Sequence, residues 1–139
     1  MKHEESKLQR MCVAWFRMQY AEKAYCLFAI PNGGRRDKIT AAIMKGEGVL
    51  AGVADLFLMV PNNQHHGLWL EMKTPKGRQS DSQKLFEQNA KSQGYEYRIT
   101  RTLDEFQFEI NDYLCPNSEG NVVLHEHKHS GADRQRSEG

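Results

Sequence analysis

Two short apolar segments of this chain are each interrupted by charge, and that feature limits what the chain can fold into. Ala54-Asp55-Leu56-Phe57-Leu58-Met59-Val60 reads as a buried strand apart from its acid. Leu68-Trp69-Leu70-Glu71-Met72-Lys73 reads as another, apart from Glu71 and Lys73. An ionised group inside an apolar strand is costly unless it is paired or binds an ion. Strand period two puts Trp69, Glu71 and Lys73 on one face and Leu68, Leu70 and Met72 on the other. The polar stretch Pro61 to Gly67 joins the segments as a hairpin. Folding about Gln64 sets Asp55 opposite Lys73 and Phe57 opposite Glu71. Asp55, Glu71 and Lys73 then share a face, with the two acids as diagonal neighbours roughly 7–8 Å apart. A slip of one residue would send Asp55 to the other face.

Two readings are open at this point. One is a cross-strand Asp55–Lys73 ion pair with Glu71 solvated at an edge. The other is a divalent cation held between the acids. Mg²⁺ prefers hard oxygen ligands, keeps several waters and is often bound by one or two carboxylates plus a substrate phosphate. Such an ion polarises a phosphoryl oxygen. A nearby lysine can orient or deprotonate an attacking water and offset phosphate charge.

The remaining segments supply a frame for the hairpin. Residues 4–22 form an amphipathic pattern with Leu8, Met11, Cys12, Trp15 and Met18 on one side. Leu27 to Ile30 is a short apolar run ended by the turn signal Pro31-Asn32-Gly33-Gly34. Asp37 to Lys45 suits a short helix with Ile39, Ala42 and Ile43 inward. Ser82 to Gln93 suits a helix with Leu85, Phe86 and Ala90 inward and Gly94 just past its end. Tyr95 to Ile99 alternates as a strand. Thr102 and Glu105 open a last helix as a capping box, with Phe106, Ile110, Tyr113 and Leu114 as its apolar face. The order α-β-α-β-β-α-β-α predicts an α/β fold with a central mixed sheet flanked by helices.

With 139 residues, one domain is expected. It spans residues 1–114, and residues 115–139 read as a flexible tail with too little apolar surface to order itself. The tail's alternating His125, His127 and His129 have no fourth ligand nearby. Cys12, Cys26 and Cys115 have neither metal-ligand nor disulfide spacing, which fits a reducing cytoplasm. No apolar run suits a membrane helix, and Met1 to Arg10 lacks the pattern of an export leader.

The acids and lysine lie in a longer ordered set of motifs. Pro31-Asn32-Gly33-Gly34, Gly48-Val49-Leu50-Ala51-Gly52-Val53-Ala54-Asp55-Leu56, Leu70-Glu71-Met72-Lys73-Thr74-Pro75-Lys76-Gly77, Ser82-Gln83 and Gly94-Tyr95 follow one another. Asp55 followed by Glu71-Met72-Lys73 resembles the PD-(D/E)XK nuclease signature. The whole set, over about residues 4–114, resembles the compact single-domain form of the VRR-NUC branch. One departure is Ala54, where many members carry proline.

The resemblance implies a restriction-endonuclease-like core and a Mg²⁺- or Mn²⁺-dependent endonuclease acting on DNA. It implies that Asp55 and Glu71 bind metal, with the Met72 carbonyl as a further ligand and Lys73 as the catalytic lysine. It also implies an active-site role for Gln83, although Ser80-x-x-Gln83 is equally a capping box. A first-helix glutamate is expected near the metal. At ~100° per residue Glu4 lies about 40° to one side of Leu8 and Glu5 about 60° to the other, so geometry does not choose. The spacing Glu5-x-x-Leu8 resembles the family pattern better. The compact members further imply a homodimer acting on branched DNA such as four-way (Holliday) junctions.

The formal net charge of +1 lacks the global basic excess of many nucleic-acid binders, but local charge matters more. Arg35 and Arg36 follow two glycines, and Lys76 and Arg78 follow the Glu-x-Lys strand. These four are assigned to phosphate contacts, with Asn32 positioning backbone or substrate. His65 and His66 read as solvated turn residues, and Trp69 as core packing. Residues 1–114 carry 16 basic and 14 acidic groups. A bound divalent ion would raise that core from +2 to about +4. A non-catalytic DNA-binding module on the same sheet is the alternative from another class. A hydrolase of small phosphorylated substrates is a third reading, weakened by the absence of a P-loop pattern.

Overall fold

The computed structural model describes residues 3–31 and 37–115. The expected tail with its histidines, and Asn32, Arg35 and Arg36, lie outside the described residues. The elements in order are α1 (His3–Gln19), a 3-10 helix (Ala21–Cys26), β1 (Leu27–Ala29), α2 (Lys38–Gly46), β2 (Leu56–Leu58), β3 (Leu68–Met72), α3 (Asp81–Ser92), β4 (Glu96–Thr100) and α4 (Leu103–Leu114). The sheet order is β1-β2-β3-β4. The first two pairings are antiparallel, and β3 with β4 is parallel across the α3 connection. This is the expected α/β fold with a mixed sheet flanked by helices.

The alternation of the strands builds two faces. Leu56, Leu58, Leu68, Leu70 and Met72 are fully buried with Leu8, Cys12 and Phe16 of α1 and Phe106, Ile110 and Tyr113 of α4. On the other face Phe57, Trp69 and Phe86 pack in sequence, tilted and then edge-to-face, at ring separations of 4.3 and 5.0 Å. Trp69 is therefore a packing residue between the sheet and α3. His66 meets the Tyr95 ring edge-on at 5.6 Å and lies against Gly94, yet it stays exposed as a turn residue does.

Several expectations fail for local reasons. The first helix stops at Gln19 and the chain tightens into the 3-10 helix, where 4–22 was expected. Its buried stripe is Leu8, Cys12 and Phe16, one residue every four, while Met11 and Met18 are exposed. Ile39, Ala42 and Ile43 of α2 face outward, with Ile39 74% and Ile43 55% exposed. The helix forms through its Asp37 N-cap, whose carboxylate accepts from Thr40 N–H at 2.6 Å, rather than through core packing. Leu85 also points outward, leaving α3 anchored through Phe86 and Ala90. At α4 only half of the expected capping box forms. Thr102 Oγ1 accepts from Glu105 N–H, but the Glu105 carboxylate accepts from Arg101 N–H instead of closing on Thr102.

The hairpin register differs from the expectation by two positions. Leu56 faces Leu70, Phe57 faces Trp69 and Leu58 faces Leu68. The Asn62 side chain sets the turn: its Oδ1 accepts from Gln64 and His65 N–H at 2.9 and 2.8 Å, an Asx-type turn. Its amide also reaches the Tyr113 carbonyl, fixing the turn to α4. Because the shift is even, every side chain keeps its expected face.

Gly52 ties this hairpin to α3. It sits at φ +92°, and a Cβ there would run into the Ser82 backbone. The 48–53 loop can therefore lie directly on the first turn of α3. Gly48 has a similar φ of +103° but open space around it. Gly52→Ala is expected to lower thermal stability well beyond the roughly 1 kcal/mol that backbone strain alone imposes on Gly48→Ala. Equal losses of melting temperature in the two variants would contradict this close approach.

Candidate active site

Extending the observed register by one position sets Asp55 directly opposite Glu71. The two acids are thus closer than the diagonal arrangement expected from the sequence. Glu71 is only 3% exposed and Lys73 8%. Asp55 lies just before the start of β2, where the ladder has no further backbone acceptor for Met72. Its Oδ2 takes that place and accepts from Met72 N–H at 2.7 Å. A strand residue turns its N–H and C=O to the same side, so the Met72 carbonyl also opens toward Asp55.

Gln83 joins the acids to the lysine. Its Oε1 accepts from Lys73 Nζ at 2.8 Å and from Ser80 N–H at 2.8 Å, and its Nε2 donates to Glu71 Oε2 at 2.9 Å. Ser80 Oγ accepts from Gln83 N–H, completing the capping box. One side chain thus both closes the capping box and bridges Lys73 to Glu71. The cap of α3 fixes the carboxamide, and the carboxamide fixes Lys73 and Glu71.

Other contacts at the site were not foreseen. The Tyr97 hydroxyl donates to Glu71 Oε1 at 3.4 Å and accepts from Gln79 Nε2 at 3.2 Å. Gln79 also donates to Glu87 at 2.9 Å. Strand alternation puts Tyr97 beside Trp69, which was the available signal. Arg101 donates to the Thr74 and Gly77 carbonyls at 2.8 Å each and clamps the turn after Lys73. Nothing local to Arg101 in the sequence marks that role. Lys76 and Arg78, expected at phosphate, lie on this turn and are exposed.

The carboxyl groups are electrostatically strained. Burial, then the Asp55 charge, push the Glu71 carboxyl up to about 8, against the pull of Lys73. Burial also raises Asp55, opposed by its bond from Met72 N–H and by the hydrogen bond it shares with Glu71. The pair thus shares a proton that rests on Glu71. Glu5 adds repulsion at Asp55. Glu5 lines the same cavity of about 350 Å³ as Asp55, Glu71 and Gln83, while Glu4 does not line it and is exposed.

The donor set suits a hard cation. Among the described residues no three His, Cys, Asp or Glu side chains lie close enough to hold an ion alone. Two opposed carboxylates and a backbone carbonyl, completed by water, match the sparse protein ligation of Mg²⁺. Soft or nitrogen ligands are missing from the cavity, which disfavours zinc. A cation in place of the shared proton would relieve the repulsion between the acids.

A mixed sheet with an opposed acid pair and a lysine at the mouth of its central strands defines the class: a PD-(D/E)XK-type nuclease domain. The VRR-NUC domain family matches residues 3–102, and the chain belongs to that family. A solved structure described as a VRR_NUC domain protein is similar, with a TM-score of 0.71 and 22% identity, over 82% of this chain and 90% of that one. No curated protein matches the chain. Nuclease families of this type generally depend on divalent metal. Among the described residues no helix is long and apolar enough to cross a membrane.

A raised Glu71 has a definite consequence for stability. The unfolded chain ionises this group near its ordinary value of 4.5, whereas the folded protein keeps the proton until about 8. Its contribution to stability therefore declines as pH rises through that window. Glu71→Gln is expected to gain stability over the metal-free wild type, with the gain growing from pH 5 to pH 8. Ca²⁺ should stabilise the wild type but not the variant. Thermal melts across pH check both, and a pH-independent difference would contradict the shared-proton arrangement.

Proposed function

We propose that the chain is a Mg²⁺- or Mn²⁺-dependent endodeoxyribonuclease that hydrolyses phosphodiester bonds in DNA. The observation that carries this is the opposed pair of half-buried Asp55 and buried Glu71, with Lys73 held beside it by Gln83. Asp55, Glu71 and the Met72 carbonyl hold the ion, and Glu5 contributes from α1. When bound, the ion supplies Lewis-acid polarisation of the phosphoryl oxygen and offsets developing charge. Lys73 donates one hydrogen bond to Gln83 and retains donors for the attacking water or a phosphate oxygen. It orients that water in line with the bond to be broken. The water's oxygen bonds to phosphorus and gives a proton to solvent, the bond to the leaving oxygen breaks, and that oxygen takes a proton from solvent and departs as a hydroxyl. Gln83 is a positioning residue. Lys76 and Arg78, on the turn clamped by Arg101, contact phosphates; Arg35 and Arg36 are assigned the same role, and Asn32 the positioning of backbone or substrate.

The substrate in this reading is branched DNA, and the acting form is a homodimer with two sites on a two-fold axis. The outward face of α2 supports a dimer, because Ile39 and Ile43 form an apolar stripe with no covering element among the described residues.

Junction, flap, duplex and single-stranded DNA incubated with Mg²⁺ or Mn²⁺ test this reading. Asp55→Asn, Glu71→Gln and Lys73→Ala are expected to reduce cleavage by about 10²-fold or more. Gln83→Ala should lose about 10–100-fold, as outer-shell partners do. Undiminished cleavage in the folded variants would refute the site, and equal cutting of all four substrates would refute the preference for branches. Sedimentation is expected to give a dimer that Ile39→Asp with Ile43→Asp converts to monomer; a monomeric wild type would refute the dimer.

A further inference from the structure

A second cavity adjoins the candidate active site. It is a groove of about 460 Å³ between α1 and the edge strand β1. Gln9 and Ala29 line both the groove and the site cavity, so the two are continuous. Arg10 and Arg17 line the α1 wall, and no carboxylate among the described residues does. Neither arginine is in an ion pair among the described residues. Seven positions apart, they lie about 10 Å apart along the helix axis. That is the rise of roughly three nucleotides of a duplex strand. The opposite wall is the open edge of β1. Cys26 and Ile30 bond toward β2, so alternation turns the peptide groups of Ala29 outward into the groove. At the junction of the two cavities Gln9 Oε1 is buried without a hydrogen-bond partner among the described residues. A buried acceptor of this kind calls for a donor from a bound molecule.

We infer that the α1–β1 groove is a nucleic-acid subsite that carries the DNA strand away from the cleaved bond, with Arg10 and Arg17 on phosphates about three nucleotides apart and Gln9 accepting from the nucleotide beside the scissile one. The inference rests on the nuclease reading for its substrate. It adds a binding wall distinct from the turn bearing Lys76 and Arg78. The arginines are exposed, so their replacement leaves the core intact.

The test is the binding of short fluorescein-labelled DNA, single-stranded and duplex, measured by anisotropy in Ca²⁺ over a series of salt concentrations. Arg10→Gln with Arg17→Gln is expected to weaken binding by about 10-fold or more and to reduce the salt slope by about 2. Lys91→Gln removes one charge from the last turn of α3, outside the groove, and is expected to cost less than about threefold. A double variant that binds like wild type would overturn the subsite. So would a Lys91→Gln loss as large as that of either arginine changed singly. Cleavage by the wild type in Mg²⁺ is read in parallel. Weakened binding without wild-type cleavage keeps the groove and removes the nuclease reading, while cleavage with unchanged binding removes the groove alone.

Discussion

Two carboxyl groups face each other across antiparallel strands in a buried site, and much of the local structure answers that repulsion. Asp55 is held by a backbone N–H that the start of β2 leaves without a ladder partner. Glu71 is gripped on one oxygen by Gln83 and on the other by Tyr97. Lys73 supplies one nearby positive charge, and a shared proton covers the remaining imbalance. Such a site is poor as a stability device, since buried charge is expensive. As a receptor for a divalent cation it is economical, because the ion takes over the work of proton and lysine together.

Capping and site geometry are joined at Gln83. A helix cap is ordinarily a local matter of orphan N–H groups. Here the same carboxamide oxygen that closes the Ser80 cap also receives Lys73. The start of α3 thereby sets the lysine's position relative to Glu71. Gly52 completes the arrangement by letting the loop before Asp55 rest on that first turn. Arg101 does the corresponding work after Lys73, fixing the turn that carries Lys76 and Arg78.

The faces of the sheet were legible because strand alternation depends only on period two. Asp55, Glu71 and Lys73 share a side even though the pairing differs by two positions. The register was not legible, since it rests on the Asn62 Asx turn and its contact with Tyr113. Gln83 was visible from its motif, but its cap and its place near the acids read as rivals, whereas one carboxamide makes both sets of contacts. The outward face of α2 was misread because periodicity says where an apolar stripe lies and not what covers it. Tyr97 and Arg101 act through long-range contacts that no local pattern encodes.

Near-neutral net charge also takes on a different meaning. The acids that cancel the basic residues include half-buried Asp55 and buried Glu71, so on the proposed reading a cation precedes the approach of a phosphate. The central claim is that the ion replaces a proton shared by Asp55 and Glu71. Calorimetric titration of the metal-free protein with Mn²⁺ near pH 7, in buffers of different ionisation enthalpy, counts protons directly. The expected result is release of about one proton per ion bound, lost in Glu71→Gln. Binding with no proton release, or no binding, would contradict the account.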